Sequence, residues 1–156
     1  MHSIIDELHS IINELHSIIM NWIDKYSFVR HTPGGRDFPD LDCWGLVRCI
    51  LEERKGIELP EFCDFSQKNM GDPASGMIAQ HVFQEIAAPE DYCVICYYRH
   101  DILFHVGVFY QGDILHTTNW HGFRKQPLES FYPQCVRRFY RYAGQDIHPP
   151  VPDMAD

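Results

Sequence analysis

Residues 2–22 repeat themselves. His2-Ser3-Ile4-Ile5-Asp6-Glu7-Leu8 recurs as His9-Ser10-Ile11-Ile12-Asn13-Glu14-Leu15, then as His16-Ser17-Ile18-Ile19-Met20-Asn21-Trp22. A period of seven is the repeat of a helix that packs on another helix. The stretch is therefore predicted to be an amphipathic helix, with an apolar set running from Ile4 and Ile5 through Leu8, Ile11, Ile12 and Leu15 to Trp22 and Ile23. Two frames are open. Ile5, Ile12 and Ile19 at a with the leucines at d favour a parallel dimer; the leucines at a with Ile4, Ile11 and Ile18 at d favour higher oligomers. The same stripe suits a helix lying on its own domain or on a neighbouring protein. The three histidines stand two turns, ~10 Å, apart. That is too far to share a metal ion, so they form a solvated stripe.

A second constraint lies at residues 32–56. The turn-forming run Thr32-Pro33-Gly34-Gly35-Arg36-Asp37, with Pro39, reads as a loop that delivers the chain into Asp42-Cys43-Trp44-Gly45-Leu46-Val47-Arg48. Leu46, Val47, Ile50 and Leu51 share one helical face, and Gly56 follows the last periodic residue, where helices stop. Cys43 is thus expected at or near a helix N-terminus, where unpaired N–H groups and the dipole favour a thiolate. On this stretch alone, a small buried hydrophobe is the commoner role for such a cysteine.

With 156 residues the chain can build one domain with a real core. A net charge of −9 with only 13 Lys+Arg argues against nucleic acid or an anionic membrane surface as partner. No run of about 18 apolar residues is present, so no membrane span is expected. No basic stretch leads into a short apolar core, so the reading is cytoplasmic synthesis without a secretory signal. The six cysteines are then expected as thiols rather than a disulfide framework. Cys93 and Cys96 form a C-x-x-C within a strand-like run, where an offset of three puts them on opposite faces, so they read as packing residues.

Residues 57–62 read as an extended exit from the Cys43 helix, 66–76 as a polar loop and 77–87 as a short helix. Strands are expected at Tyr92–Arg99, Phe104–Tyr110, Asp113–Thr118 and Val136–Tyr142. The proline-containing tail over 146–156 reads as disordered. Helices followed by an antiparallel meander make the class α+β.

Gln111-Gly112 is a tight hairpin signal. If residues 110 and 113 pair, opposed positions sum to 223, and His105 with His116 sums to 221, two positions from opposition. A bulge at Gly112 would change that register. The sequence therefore permits a contact between the two histidines. Cysteine chemistry needs a base, and the base an orienting partner; this hairpin offers both.

The ordered set formed by Gly34-Gly35, Asp42-Cys43-Trp44-Gly45-Leu46-Val47, Leu59-Pro60, His105-Val106-Gly107-Val108 and a second hairpin histidine resembles the NlpC/P60 family of cysteine peptidases. The resemblance runs from about residue 20 to 142, and the Gly34–Arg48 stretch looks most like the branch found in bacteriophage tail proteins. It implies a permuted papain-like NlpC/P60 fold, with helices packed on a small antiparallel sheet. Residues 1–25 would be the heptad helix, 26–143 the catalytic domain and 144–156 the tail. It further implies cleavage of peptidoglycan stem peptides between D-γ-glutamate and meso-diaminopimelate, with no metal or cofactor. Cys43 would be the nucleophile, His105 the base and His116 its orienting partner, with Asn119 and His121 as rivals for that third role. The N–H of Cys43 is a candidate oxyanion donor. Asp42, Trp44 and His31 would line the substrate site. Two departures bear on that site: many relatives carry serine at the position of Trp44, and a tyrosine before the Gly-Gly, near which His31 stands. The implied setting is a phage tail or tail-like device acting at the cell wall, docked to other tail proteins or self-associated through residues 2–23. Two alternatives stand beside it: a tail-tip assembly module with an unused site, and a cysteine amidase or acyltransferase on another substrate.

Overall fold

The computed structural model describes residues 3–20, 22–61, 63 and 82–144. The first element is α1, Ile4–Met20. Ser3 caps it: its Oγ accepts the Asp6 N–H at 3.2 Å, and the Asp6 carboxylate in turn accepts the Ser3 N–H at 3.5 Å. Its apolar residues Ile4, Ile5, Leu8, Ile11, Ile12 and Leu15 are 51–75% exposed. The heptad pattern thus forms a helix, and these six residues of its stripe are not covered by its own domain. Trp22 and Ile23, beyond the helix end, differ from these six: Ile23 packs against the core and Trp22 is part of it. Trp22 is buried against Tyr26, Tyr92 and Tyr110, with the Arg54 guanidinium 4.6 Å from its ring centre.

After a 3-10 turn, Asp24–Phe28, the approach to Asp42 that reads as a loop in the sequence takes part in a small three-stranded sheet. Its strands are β1 (Arg30–His31), β2 (Arg36–Asp37) and β3 (Asp40–Leu41), in the order β1-β3-β2. Two-residue strands leave no periodicity for a sequence to show; their hydrogen bonds, such as Thr32 N–H to Leu41 O at 3.1 Å, come from the loop folding back.

Helix α2, Cys43–Lys55, begins and ends where its caps dictate. Asp42 is the N-cap, with Oδ1 accepting the Gly45 N–H at 2.7 Å. Gly56 closes it in the left-handed region at φ +65°. Leu46, Val47 and Ile50 are fully buried on the main sheet, each stabilising by about 1.5–3 kcal/mol.

The main sheet has six strands in the order β4-β9-β5-β6-β7-β8. They are β4 (Phe83–Ile86), β5 (Val94–Arg99), β6 (Ile102–Tyr110), β7 (Asp113–Thr118), β8 (Gly122–Pro127) and β9 (Val136–Tyr142). Four of these are the expected meander strands, shifted by two residues at two starts. The helix expected over 77–87 is corrected at 83–86: those residues pair antiparallel with β9. Residues 77–81, the loop at 66–76 and the tail over 146–156 lie outside the described residues.

Both faces of the sheet are covered. Val94, Cys96, Val106, Val108 and Leu115 pack under α2, while Cys93, Ile95, Tyr97, Ile114 and Leu128 form a second core on the other face. Cys93 and Cys96 fall in different cores, as their offset of three requires. Among the described residues, no helix is long and apolar enough to cross a membrane.

Candidate active site

Cys43 stands at the first turn of α2, half-buried, and lines a cleft of about 230 Å³ together with Arg36, Asp42, Trp44, Phe104 and His105. The approach of the Gly-Gly loop to the helix is close enough to dictate residue type. A Cβ on Gly45 would lie 2.2 Å from the Gly35 carbonyl oxygen. That explains glycine two residues after the cysteine: the loop carbonyl occupies the space a side chain needs.

His105 reaches the cleft because of two irregularities in β6. Tyr97 pairs with His105 but Tyr98 pairs with Leu103, so Phe104 is an extra residue, a bulge that re-aims the side chains next to it. On its other edge, β6 pairs with β7 only over Val108–Tyr110 against Asp113–Leu115, so His105 lies beyond that ladder. The backbone amide of Val106 is thereby available to the Cys43 thiol and hydrogen-bonds it.

The hairpin turn has no bulge. Tyr110 pairs with Asp113 and Val108 with Leu115, so opposed positions sum to 223. Gln111 and Gly112 both have positive φ, +48° and +87°, the geometry a two-residue hairpin loop favours. His105 and His116 are diagonal neighbours on one face, with Nε2 of the first 2.7 Å from Nδ1 of the second. Phe131 packs on both rings, at centroid distances of 5.0 and 4.4 Å. His116 is fully buried, and its Nε2 lies 2.9 Å from Gln126 Oε1. The rivals Asn119 and His121 sit exposed in the β7–β8 turn.

The residues expected to bind substrate are engaged with their own chain. Asp42 accepts the Gly34 N–H at 3.2 Å in addition to capping α2, and lies 2.6 Å from the Arg36 guanidinium. Trp44 is buried, and its indole N–H donates to Pro60 O at 3.1 Å. His31 Nδ1 is 3.1 Å from Thr117 Oγ1.

Electrostatics set the resting protonation. Burial pushes the Cys43 thiol above its ordinary range; the Val106 amide opposes this, the Asp42 carboxylate adds to it, and the amides of Trp44 and Cys43 oppose it again. Burial lowers His105 to about 3, helped by His116 and His31. Burial also lowers His116 to about 4, with Gln126 opposing and Arg124 assisting. At neutral pH the site therefore holds a thiol and two neutral imidazoles. Such an arrangement can move a proton from sulfur to nitrogen as a bond forms, without a standing ion pair.

Three site residues, Arg36, Phe131 and Gln126, are not among those the sequence singles out. Arg36 is visible within the Gly-Gly loop, and its link to Asp42 is short-range. Gln126 has no local signal, because β8 has none.

No model of a known family and no curated protein matches the sequence. Among solved structures, the chain is similar to the crystal structure of the NlpC/p60 domain of the peptidoglycan hydrolase SagA. Sequence identity is 12% and the TM-score 0.53, over 80% of this chain and 96% of that one. The chain thus has the α+β, papain-like fold of an NlpC/p60 domain.

Proposed function

We propose that the chain is a cysteine peptidase of bacterial cell wall. Its substrate is a peptidoglycan stem peptide, cut at the bond between D-γ-glutamate and meso-diaminopimelate. The single observation that carries this reading is the shared cleft: Cys43 at a helix N-terminus and His105 line it together, and His105 is hydrogen-bonded to His116. The similarity to a domain of a peptidoglycan hydrolase supports the substrate class.

In this reaction the Cys43 sulfur attacks the amide carbonyl as its proton passes to His105. The N–H groups at the start of α2 stabilise the oxyanion. The protonated His105 gives its proton to the leaving amine, and a thioester remains. Water, deprotonated by His105, hydrolyses the thioester and restores the thiol. His116 holds the His105 ring.

The carrier is a phage tail or tail-like device, with α1 as the docking element. Purified peptidoglycan incubated with the full chain is expected to release peptides beginning with diaminopimelate, identified by mass spectrometry, and Cys43→Ala is expected to release none. Equal release by the variant would overturn the mechanism. Release at another bond, with dependence on Cys43, would keep the nucleophile and replace the substrate assignment by the amidase reading. The exposed stripe of α1 favours a second role in assembly. Tails that fail to assemble without residues 3–20, yet assemble normally with Cys43→Ala, would make that the main one.

A further inference from the structure

A carbonyl oxygen has no proton to give, and this fixes the protonation of the whole site. Ser130 Oγ lies 2.7 Å from Pro127 O, so the serine donates its single proton there. Its oxygen is left as an acceptor for the amide Nε2 of Gln126, 2.9 Å away. Gln126 is thereby held with Oε1 toward His116 Nε2, at 2.9 Å. Since Oε1 only accepts, His116 carries its proton on Nε2, and in the neutral ring Nδ1 is bare. His105 Nε2, 2.7 Å from that Nδ1, must donate. The nitrogen of His105 left with a free lone pair is Nδ1, on the ring that lines the cleft with Cys43.

We propose that Gln126, anchored by Ser130, is a positioning residue that fixes the tautomers of His116 and His105 and so selects Nδ1 of His105 as the base. The proposal rests on the reading of Cys43 and His105 as nucleophile and base. It also gives the transferred proton an account. When His105 accepts the thiol proton on Nδ1, its Nε2–H faces an acceptor already in place. If that second proton moves on to His116 Nδ1, the Nε2–H of His116 faces Gln126 Oε1. The positive charge is then shared by two rings and met by an amide dipole, with every proton counted. Phe131 packs on both rings, which stand at 71° to one another, and so limits how far either can turn away from the shared hydrogen bond.

The test is the tautomer itself, read by long-range 1H–15N correlation spectra of the full chain with labelled histidine. In the parent, both rings are expected as the Nε2–H form. Gln126→Met keeps the length but removes the acceptor, and is expected to give mixed tautomers on His116 and His105. Gln126→Glu restores an acceptor and is expected to restore the Nε2–H form. Peptidoglycan hydrolysis by Gln126→Met is expected to lose at least about tenfold in kcat with KM held, a smaller loss than a wrong tautomer set by the directly bonded partner. If Gln126→Met does not fold, Ser130→Ala decides, since it releases only the anchor of the amide at an exposed position. An Nδ1–H form on either ring of the parent overturns the proposal, as does an unchanged Nε2–H form in the folded variant. Tautomers as expected, with hydrolysis that persists in Cys43→Ala, would instead overturn the catalytic reading and leave the relay standing.

Discussion

The carboxylate of Asp42 and the guanidinium of Arg36 lie 2.6 Å apart beside Cys43. Asp42 caps the helix that presents the thiol, yet its negative charge also works against ionising that thiol. Arg36 offsets the charge and ties the loop to Glu61 O at 2.9 Å. Asp42→Asn keeps a good cap and removes the charge. The Cys43 thiol is expected to become more acidic. Alkylation by iodoacetamide, followed at Cys43 by peptide mass spectrometry across pH, reads this directly. A midpoint that stays in place or moves up would contradict the charge argument. Asp42→Ala, which loses the cap as well, is expected to cost about 1–2 kcal/mol of stability.

Gly45 and Gly35 make a contact that admits no side chain. A Cβ on Gly45 would meet the Gly35 carbonyl at 2.2 Å, and one on Gly35 would meet Asp40 O at 2.3 Å. Both obstacles are backbone, so neither moves cheaply. Gly45→Ala is expected to destabilise by about 1–3 kcal/mol despite alanine's better helix propensity. Because the displaced loop carries Arg36, the variant is also expected to lose hydrolysis beyond its loss of fold. Urea denaturation and peptide release, measured on the same preparation, separate the two effects. Wild-type stability in this variant would show that the loop yields.

The parts of the site legible in the sequence are those set by neighbours in the chain. Asp42, Cys43 and Gly56 mark the ends of α2 through capping, and Gln111-Gly112 fixes the hairpin register that brings His105 to His116. The parts that were not legible are set by distant pairing. Among the described residues, the edge strands β4 and β8 are held on one side only, by β9 and β7. Phe83 and Ile86, three apart, even mimic helical spacing. Gly122-Phe123-Arg124-Lys125-Gln126-Pro127 has no apolar alternation, so nothing local puts Gln126 beside His116. The bulge at Phe104, which aims His105, exists only against β5.

Burial of His105 and His116 as neutral rings gives stability a defined pH dependence. Their values, lowered to about 3 and about 4 from an ordinary 6.5, mean that the unfolded chain binds protons which the folded rings refuse. Above about pH 6.5 neither state holds them and the stabilisation is complete; as pH falls below that, unfolding is favoured. Each proton of difference contributes about 1.4 kcal/mol per pH unit. Urea midpoints are expected to fall between about pH 7 and about pH 5. The double variant His105→Gln, His116→Gln is expected to flatten that slope, and an unchanged slope would show that other groups carry it.

Helix α1 presents six apolar side chains, 51–75% exposed, and their heptad spacing names the geometry of whatever covers them. The repeat allows a second copy of the helix, whose identical stripe would interdigitate, as well as a neighbouring protein, and the oligomeric state separates the two. Leu8 and Leu15 fall at core positions in both possible frames, at d in one and at a in the other. They are therefore the residues whose loss breaks either assembly. Light scattering of the full chain is expected to give two or more copies per particle, and Leu8→Glu with Leu15→Glu to give a single copy with α2 and the sheet intact by circular dichroism. Peptidoglycan hydrolysis is expected to persist in that variant, because none of its changes reaches the cleft. A parent chain that scatters as a single copy at tens of micromolar would remove self-association and leave the stripe to a different protein.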